Sequence, residues 1–138
     1  LVAWNASRDH GIIIAGLKDH PIEDMVLSNI QIHYEGGGTT EQGTREVPEL
    51  AQDYPDPYNF GTMPAWGLFA RHVTNLQLRD LDLRTTTPDA RHAIHLEDAP
   101  ATRLRNIVLR PTEGEAMWTV RDAPNLSVRD VTGLRDTP

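Results

Sequence analysis

Leu78-Arg79-Asp80-Leu81-Asp82-Leu83 and Leu104-Arg105-Asn106-Ile107-Val108-Leu109 are one six-residue phrase written twice, 26 residues apart. Each runs apolar, two polar, apolar, one spacer, apolar. Leu27-Ser28-Asn29-Ile30-Gln31-Ile32 states the phrase earlier. Val128-Arg129-Asp130-Val131-Thr132-Gly133 states it again, with Gly133 in the last apolar place. Counted from the fourth position, the steps are 51, 26 and 24 residues, so the first spans about two periods. The third position is Asn or Asp every time. These residues tolerate left-handed backbone and bond nearby peptide groups, which suits a tight bend between strands. A row of catalytic or calcium-binding acids is the alternative, weakened because Asn29 and Asn106 are neutral amides.

A shorter apolar piece precedes each phrase: Ile12-Ile13-Ile14, Leu68-Phe69-Ala70, Ala93-Ile94-His95-Leu96 and Trp118-Thr119-Val120. Polar turns join the two pieces, and Asp-Ala-Pro occurs in two of them, at Asp98 and Asp122. Short runs of alternating apolar and polar residues are the period-two signature of strands. Units this small cannot bury their apolar faces alone, so neighbours must stack around a shared interior. Two or three strands per unit of about 25 residues predict one turn of a right-handed, single-stranded parallel β-helix. The expectation is an all-β domain over 1–138 with four to five coils. A leucine-rich repeat has a similar period, but it needs a longer Leu-x-x-Leu-x-Leu-x-x-Asn frame and usually a helical return.

One segment interrupts the recurrence, 33–65. It holds Gly36-Gly37-Gly38, Val47-Pro48-Glu49-Leu50, and Tyr54-Pro55-Asp56-Pro57-Tyr58-Asn59-Phe60-Gly61. Thr44 to Gln52 is expected to form a short helical turn; elsewhere Pro and Gly forbid regular structure. A long loop rich in aromatic and apolar residues predicts ordered packing on one face of the repeats.

Composition narrows the partners. Thirteen Lys+Arg against twenty Asp+Glu give a net charge of −7. That argues against nucleic acid, whose binders present basic surface. The longest apolar run, Ile12 to Ala15, is far too short to span a bilayer. Without cysteine there is no disulfide and no thiolate metal site.

Residues 9–110 carry a family resemblance. Gly11 through Ile30, the glycine-rich segment, Glu46-Val47-Pro48-Glu49-Leu50, Tyr54-Pro55 through Phe60-Gly61, and Pro64-Ala65-Trp66-Gly67 before Arg71-His72-Val73 resemble late coils of polygalacturonase-like glycoside hydrolases of family 28. The resemblance implies a right-handed parallel β-helix, secretion or a periplasmic location, and a pectin-type polysaccharide substrate. That family's catalytic signatures are Asn-Thr-Asp, Asp-Asp, Gly-His-Gly and Arg-Ile-Lys. None occurs here, and Asp9-His10-Gly11 lacks the first glycine of the third. No catalytic residue carries over. The chain looks like C-terminal coils without the active-site coils, expected to be silent alone. Self-association, or packing against an upstream β-helix segment, is expected from an N-terminal coil with unpaired edges.

Sugar sites combine an aromatic face with polar groups that fix hydroxyls. Tyr54, Tyr58, Phe60 and Trp66 lie within thirteen residues of a chain with eight aromatics. With Asp53, Asp56 and Arg71 they form the candidate substrate-binding set; Arg45 and Arg91 are further guanidiniums able to grip a uronic acid carboxylate. The plainer reading is a loop anchored by its own aromatics and arginines paired with local acids. Glu23-Asp24 and Glu97-Asp98 are adjacent carboxylates whose side chains diverge on a strand, so neither makes a natural acid pair. His92 and His95 diverge likewise and do not read as a metal site. No phosphate loop, dinucleotide fingerprint or nucleophile elbow occurs, and no cofactor is expected.

Overall fold

The computed structural model describes residues 1–53 and 56–135. The protein is all-β with parallel sheets. Among the described residues eleven strands run in the order β1 (Val2–Ala6), β2 (Ile12–Ala15), β3 (Ile22–Glu23), β4 (Val26–Tyr34), β5 (Ala65–Arg71), β6 (Val73–Thr74), β7 (Gln77–Thr85), β8 (His92–Glu97), β9 (Arg103–Arg110), β10 (Trp118–Arg121) and β11 (Ser127–Thr132). Two helical turns among the described residues, α1 (Thr40–Gly43) and α2 (Pro57–Phe60), fall between β4 and β5.

The chain alternates between sheets. One has the order β1-β4-β7-β9-β11, a second β2-β5-β8-β10, and β3 pairs with β6. Every inter-strand pairing in these sheets is parallel. The repeated phrase sets the register: Ile30 lies against Leu81, Leu81 against Ile107, and Ile107 against Val131. Identical phrase positions therefore form columns across the sheet.

Two polar residues between apolar ones would break the inward alternation of a flat strand. The backbone absorbs the extra residue at the Asx position. Asn29, Asp80, Asn106 and Asp130 all have φ between 53° and 56°. Such left-handed backbone suits Asn and Asp. After the bend, Leu81 and Ile107 point inward again, as Leu78 and Leu104 do before it, and all four are 2% exposed or less. An amide and a carboxylate meet in this column, where Asn106 Nδ2 donates to Asp80 Oδ1 at 2.7 Å. Asn75 Nδ2 and Asp24 Oδ1 make the same contact in a second left-handed column.

The core lies between the sheets. Leu68, Ala70, Ile94 and Leu96 face Leu78, Leu83, Leu104 and Leu109, all nearly inaccessible. Each leucine so buried contributes about 1.5–3 kcal/mol relative to exposure. Gly67 is required by close strand approach: a Cβ there would stand 2.7 Å from the Ala93 carbonyl oxygen.

The inserted loop is shorter than its sequence bounds. His33 and Tyr34 still belong to β4, paired with Arg84 and Thr85, and Ala65 already belongs to β5. Its helical turns also differ from expectation, since 44–52 forms none. They form where caps exist. Thr39 and Gln42 make a reciprocal capping box on α1, while Asp56 caps α2 with Pro57 at its first position. Pro48, without an N–H, cannot join a helical ladder.

Candidate functional site

Sheet alternation gives β5 two environments. Trp66, Leu68 and Ala70 enter the main core, while Phe69 and Arg71 emerge on the outer face. The loop covers that face. Val47 and Met63 bury Phe69 in a second small core flanked by Ile13 and Phe60. Beside it lies a polar pocket of about 150 Å³. Its floor is set by register, with Arg71 beside Glu97 and Glu97 beside Arg121 in one column, and Phe69 beside His95 in the next. Arg45, Glu46 and Pro64 supply the loop side.

Arg71 is 4% exposed. Its Nη1 donates to the Val47 carbonyl at 2.6 Å and its Nη2 to the Pro48 carbonyl at 3.0 Å. The Nε–H is buried and lacks a hydrogen-bond partner among the described residues. Glu49 Oε1, at 3.7 Å, is too distant to bond it. Above Phe69 the guanidinium carbon sits 5.5 Å from the ring centre, a cation–π contact. His95 also packs against Phe69, with ring centres 5.0 Å apart, and donates from Nε2 to Glu97 Oε2 at 3.1 Å. Burial pushes His95 below the ordinary histidine value; the Glu97 hydrogen bond and charge oppose this, and the Arg121 and His92 charges add to it. At neutral pH the pocket thus holds a neutral imidazole bonded to Glu97, the acidic side chain of Glu46, and guanidiniums of both the sheet and the loop.

His72 fastens the loop to the sheet. It sits at φ 52°, donating from Nδ1 to Asp98 Oδ2 at 2.6 Å and from Nε2 to Glu49 Oε1 at 2.7 Å. Donating to both requires the imidazolium form. Burial alone would push this group down; the hydrogen bonds to Glu49 and Asp98, with both carboxylate charges, outweigh it and raise His72. The hydrogen bond from His72 holds Glu49 below the usual carboxylate range against partial burial, with help from the charges of Arg71, His72 and Lys18. A raised histidine stabilises fully below its ordinary value and loses that contribution as pH rises through the folded value. A lowered carboxylate stabilises above its ordinary value and loses that as pH falls through the folded one. The clamp is therefore strongest between about pH 4.5 and 6.5. The urea midpoint is expected to fall from about pH 6 to pH 9, and His72→Asn, which keeps a side chain suited to positive φ, is expected to flatten that fall. An equal slope in the variant would remove His72 as its source.

The sequence candidates separate. Tyr58 is 80% exposed, its ring edge-on to His10 at 5.1 Å. Phe60 is half-buried against the loop core. Trp66, 2% exposed and edge-on to Tyr34, is a core residue; this corrects the expectation of a stacking platform. Asp56 is occupied as the α2 cap, and Asp53 is exposed on a turn. Tyr54 lies outside the described residues. Arg71 and Arg45 reach the pocket, whereas Arg91 is locked to Asp89 away from it. Glu97 and Asp98 diverge, one to His95 and the other to His72. His92 Nδ1 meets Thr119 Oγ1 at 2.8 Å, and among the described residues no cluster of three His, Asp or Glu could hold a metal. The sequence considers His95 only as a metal ligand with His92 and Glu97 only as half of an acid pair with Asp98, and it does not single out Arg121. The signal that finds them is column position, since Arg71, Glu97 and Arg121 close their strands at steps of 26 and 24 residues. No family model, curated protein or solved structure matches the chain.

Proposed function

We propose that the chain is the C-terminal portion of a secreted or periplasmic polysaccharide hydrolase acting on pectin-type glycans. In this reading it is a right-handed parallel β-helix of four to five coils. The in-register columns at steps of 26 and 24 residues support the winding, and parallel crossovers are almost always right-handed. The segment lacks the catalytic aspartate coils and does not cleave glycan alone. Its role is to hold substrate, through a loop-roofed pocket that takes the carboxylate of a uronic acid residue.

One observation carries the reading: the buried Arg71 Nε–H has no hydrogen-bond partner among the described residues, in a pocket lined by Arg45 and Arg121 as well as Glu46 and Glu97. A buried donor left unbonded costs free energy that an arriving carboxylate recovers. A cavity of about 150 Å³ admits a carboxylate and a ring edge rather than a whole sugar chain. The test is calorimetric titration with digalacturonate and with its methyl ester. Arg121 is exposed and free of ion pairs among the described residues, so Arg121→Gln should spare the fold. The acid is expected to bind, the ester to bind at least tenfold more weakly, and the variant to lose about tenfold, or 1.4 kcal/mol. Equal binding of acid and ester would overturn the carboxylate assignment, and turnover of polygalacturonate would overturn the silent role.

A non-catalytic carbohydrate-binding module would use the same pocket. Packing against an upstream segment or a second copy is the third reading, supported by Val2 and Trp4 of β1, which are 58% and 68% exposed.

A further inference from the structure

The outer face of the five-stranded sheet carries a second set of columns, remote in register from the pocket. Arg79, Arg105 and Arg129 lie side by side on β7, β9 and β11, continuing from Ser28 on β4. Arg103 adjoins them two positions back on β9. All four are exposed. Neighbouring strands bring one guanidinium every ~4.8 Å. Like charges in adjacent register repel. Among the described residues none of the four has an ion pair or a hydrogen-bonded side-chain partner. Arg71, Arg84, Arg91 and Arg110 each lie within 4.0 Å of a carboxylate. A shortage of acids does not explain this, because acids outnumber bases twenty to thirteen.

The next column is of opposite chemistry. Asn29, Asp80, Asn106 and Asp130 stand one residue along the strands, fixed in left-handed backbone. They present amide and carboxylate oxygens beside the Arg79 and Arg105 guanidiniums in an open groove of about 450 Å³. A donor-only column thus runs parallel to a column rich in acceptors, both repeating at the strand spacing. Arginines take carboxylates, and Asx oxygens take hydroxyl protons.

We infer that this double column binds a linear carboxylated polysaccharide, one sugar after another across the strands. It lies beyond the loop pocket and shares with that reading only the class of glycan. Nucleic acid is the less favoured occupant. Its binders neutralise many phosphates and stack bases on aromatic side chains. Among the described residues no aromatic side chain lines this groove to stack a base.

The experiment uses the full chain with hexagalacturonate, its methyl ester and a single-stranded DNA 20-mer. A triple variant, Arg79→Gln, Arg105→Gln and Arg129→Gln, removes the column, and far-ultraviolet circular dichroism checks that the fold persists. Hexagalacturonate is expected to bind the triple variant at least tenfold more weakly, with a shallower salt dependence, while digalacturonate binding at the pocket stays unchanged. Arg105→Gln alone, which keeps two of the three guanidiniums, is expected to lose about threefold. Equal hexamer affinity in wild type and the triple variant would overturn the inference, as would tighter wild-type binding of the DNA or of the ester. Failure of the column alone leaves the digalacturonate response and its Arg121 dependence intact. Failure of the pocket reading abolishes that response while hexamer binding still depends on the column.

Discussion

Arg91→Leu is expected to remove about 3–5 kcal/mol of folding stability, the cost of leaving a buried charge without its partner. The Asp89 and Arg91 side chains are 1% and 0% exposed. Arg91 Nη2 and Nε donate to the two Asp89 oxygens at 2.7 and 3.0 Å, and Nη1 reaches the Met63 carbonyl at 3.1 Å. Asp89 also accepts from the Gly38 and Arg91 backbone N–H groups. Burial alone would raise the Asp89 carboxyl; the Arg91 hydrogen bonds, the two backbone donors and the guanidinium charge together hold it down. Deleting the guanidinium leaves that carboxylate in a dry site. It also unfastens both ends of the loop, because Gly38 and Met63 are the residues bridged. Gly38 has no room for a Cβ there, since Arg91 Nε occupies the place. A drop in urea midpoint at constant slope reads the effect. The Asp89→Leu, Arg91→Leu double variant should recover much of the loss, because no charge is then stranded. The half-exposed Arg84–Asp82 pair, also at 2.7 Å, sets the contrast. Breaking it should cost no more than about 1 kcal/mol. If Arg91→Leu costs no more than that, the buried pair is not what holds the loop.

The same residues mark the limit of what sequence conveys. The phrase Leu104 to Leu109 is legible because its meaning is local. Leu and Ile choose the inside, and Asn106 accepts the bend that lets both Leu104 and Ile107 point inward. Parallel registers follow once identical phrases stack. The loop pocket is legible only in part, because its floor is assembled across three strands whose spacing the turns decide. His95 reads as one alternation among many until Phe69 and Arg71 are known to share its face. Trp66 illustrates the reverse error. It sits among loop aromatics in the chain, yet it keeps parity with Leu68 and Ala70 and so enters the core. Counting parity back from Leu68 would have found this. The helical turns form at 40–43 and 57–60 rather than over 44–52 because Thr39 and Asp56 act through capping geometry, which outweighs composition over so short a span.

The left-handed column offers the sharper test of the architecture. Asn106→Val is expected to destabilise by about 2–3 kcal/mol, with roughly 1–2 from forcing a branched side chain into left-handed backbone and about 1 from the lost hydrogen bond. The site is exposed, with φ 53° and the Nδ2 donor on Asp80, so no cavity or core contact confuses the result. Asn106→Gly separates the two contributions: glycine accepts this backbone freely, leaving the hydrogen bond as the main loss. Asn106→Asp keeps the conformation but places a carboxylate between Asp80 and Asp130 in the column. Its destabilisation should appear at neutral pH and fade as the carboxyls protonate near pH ~4. The valine, glycine and aspartate variants thus report strain, hydrogen bonding and charge separately, each read as a urea midpoint at two pH values. Equal stability of the valine and glycine variants would mean that the bend at Asn106 is not left-handed, and the column that sets the register of β7, β9 and β11 would lose its physical basis.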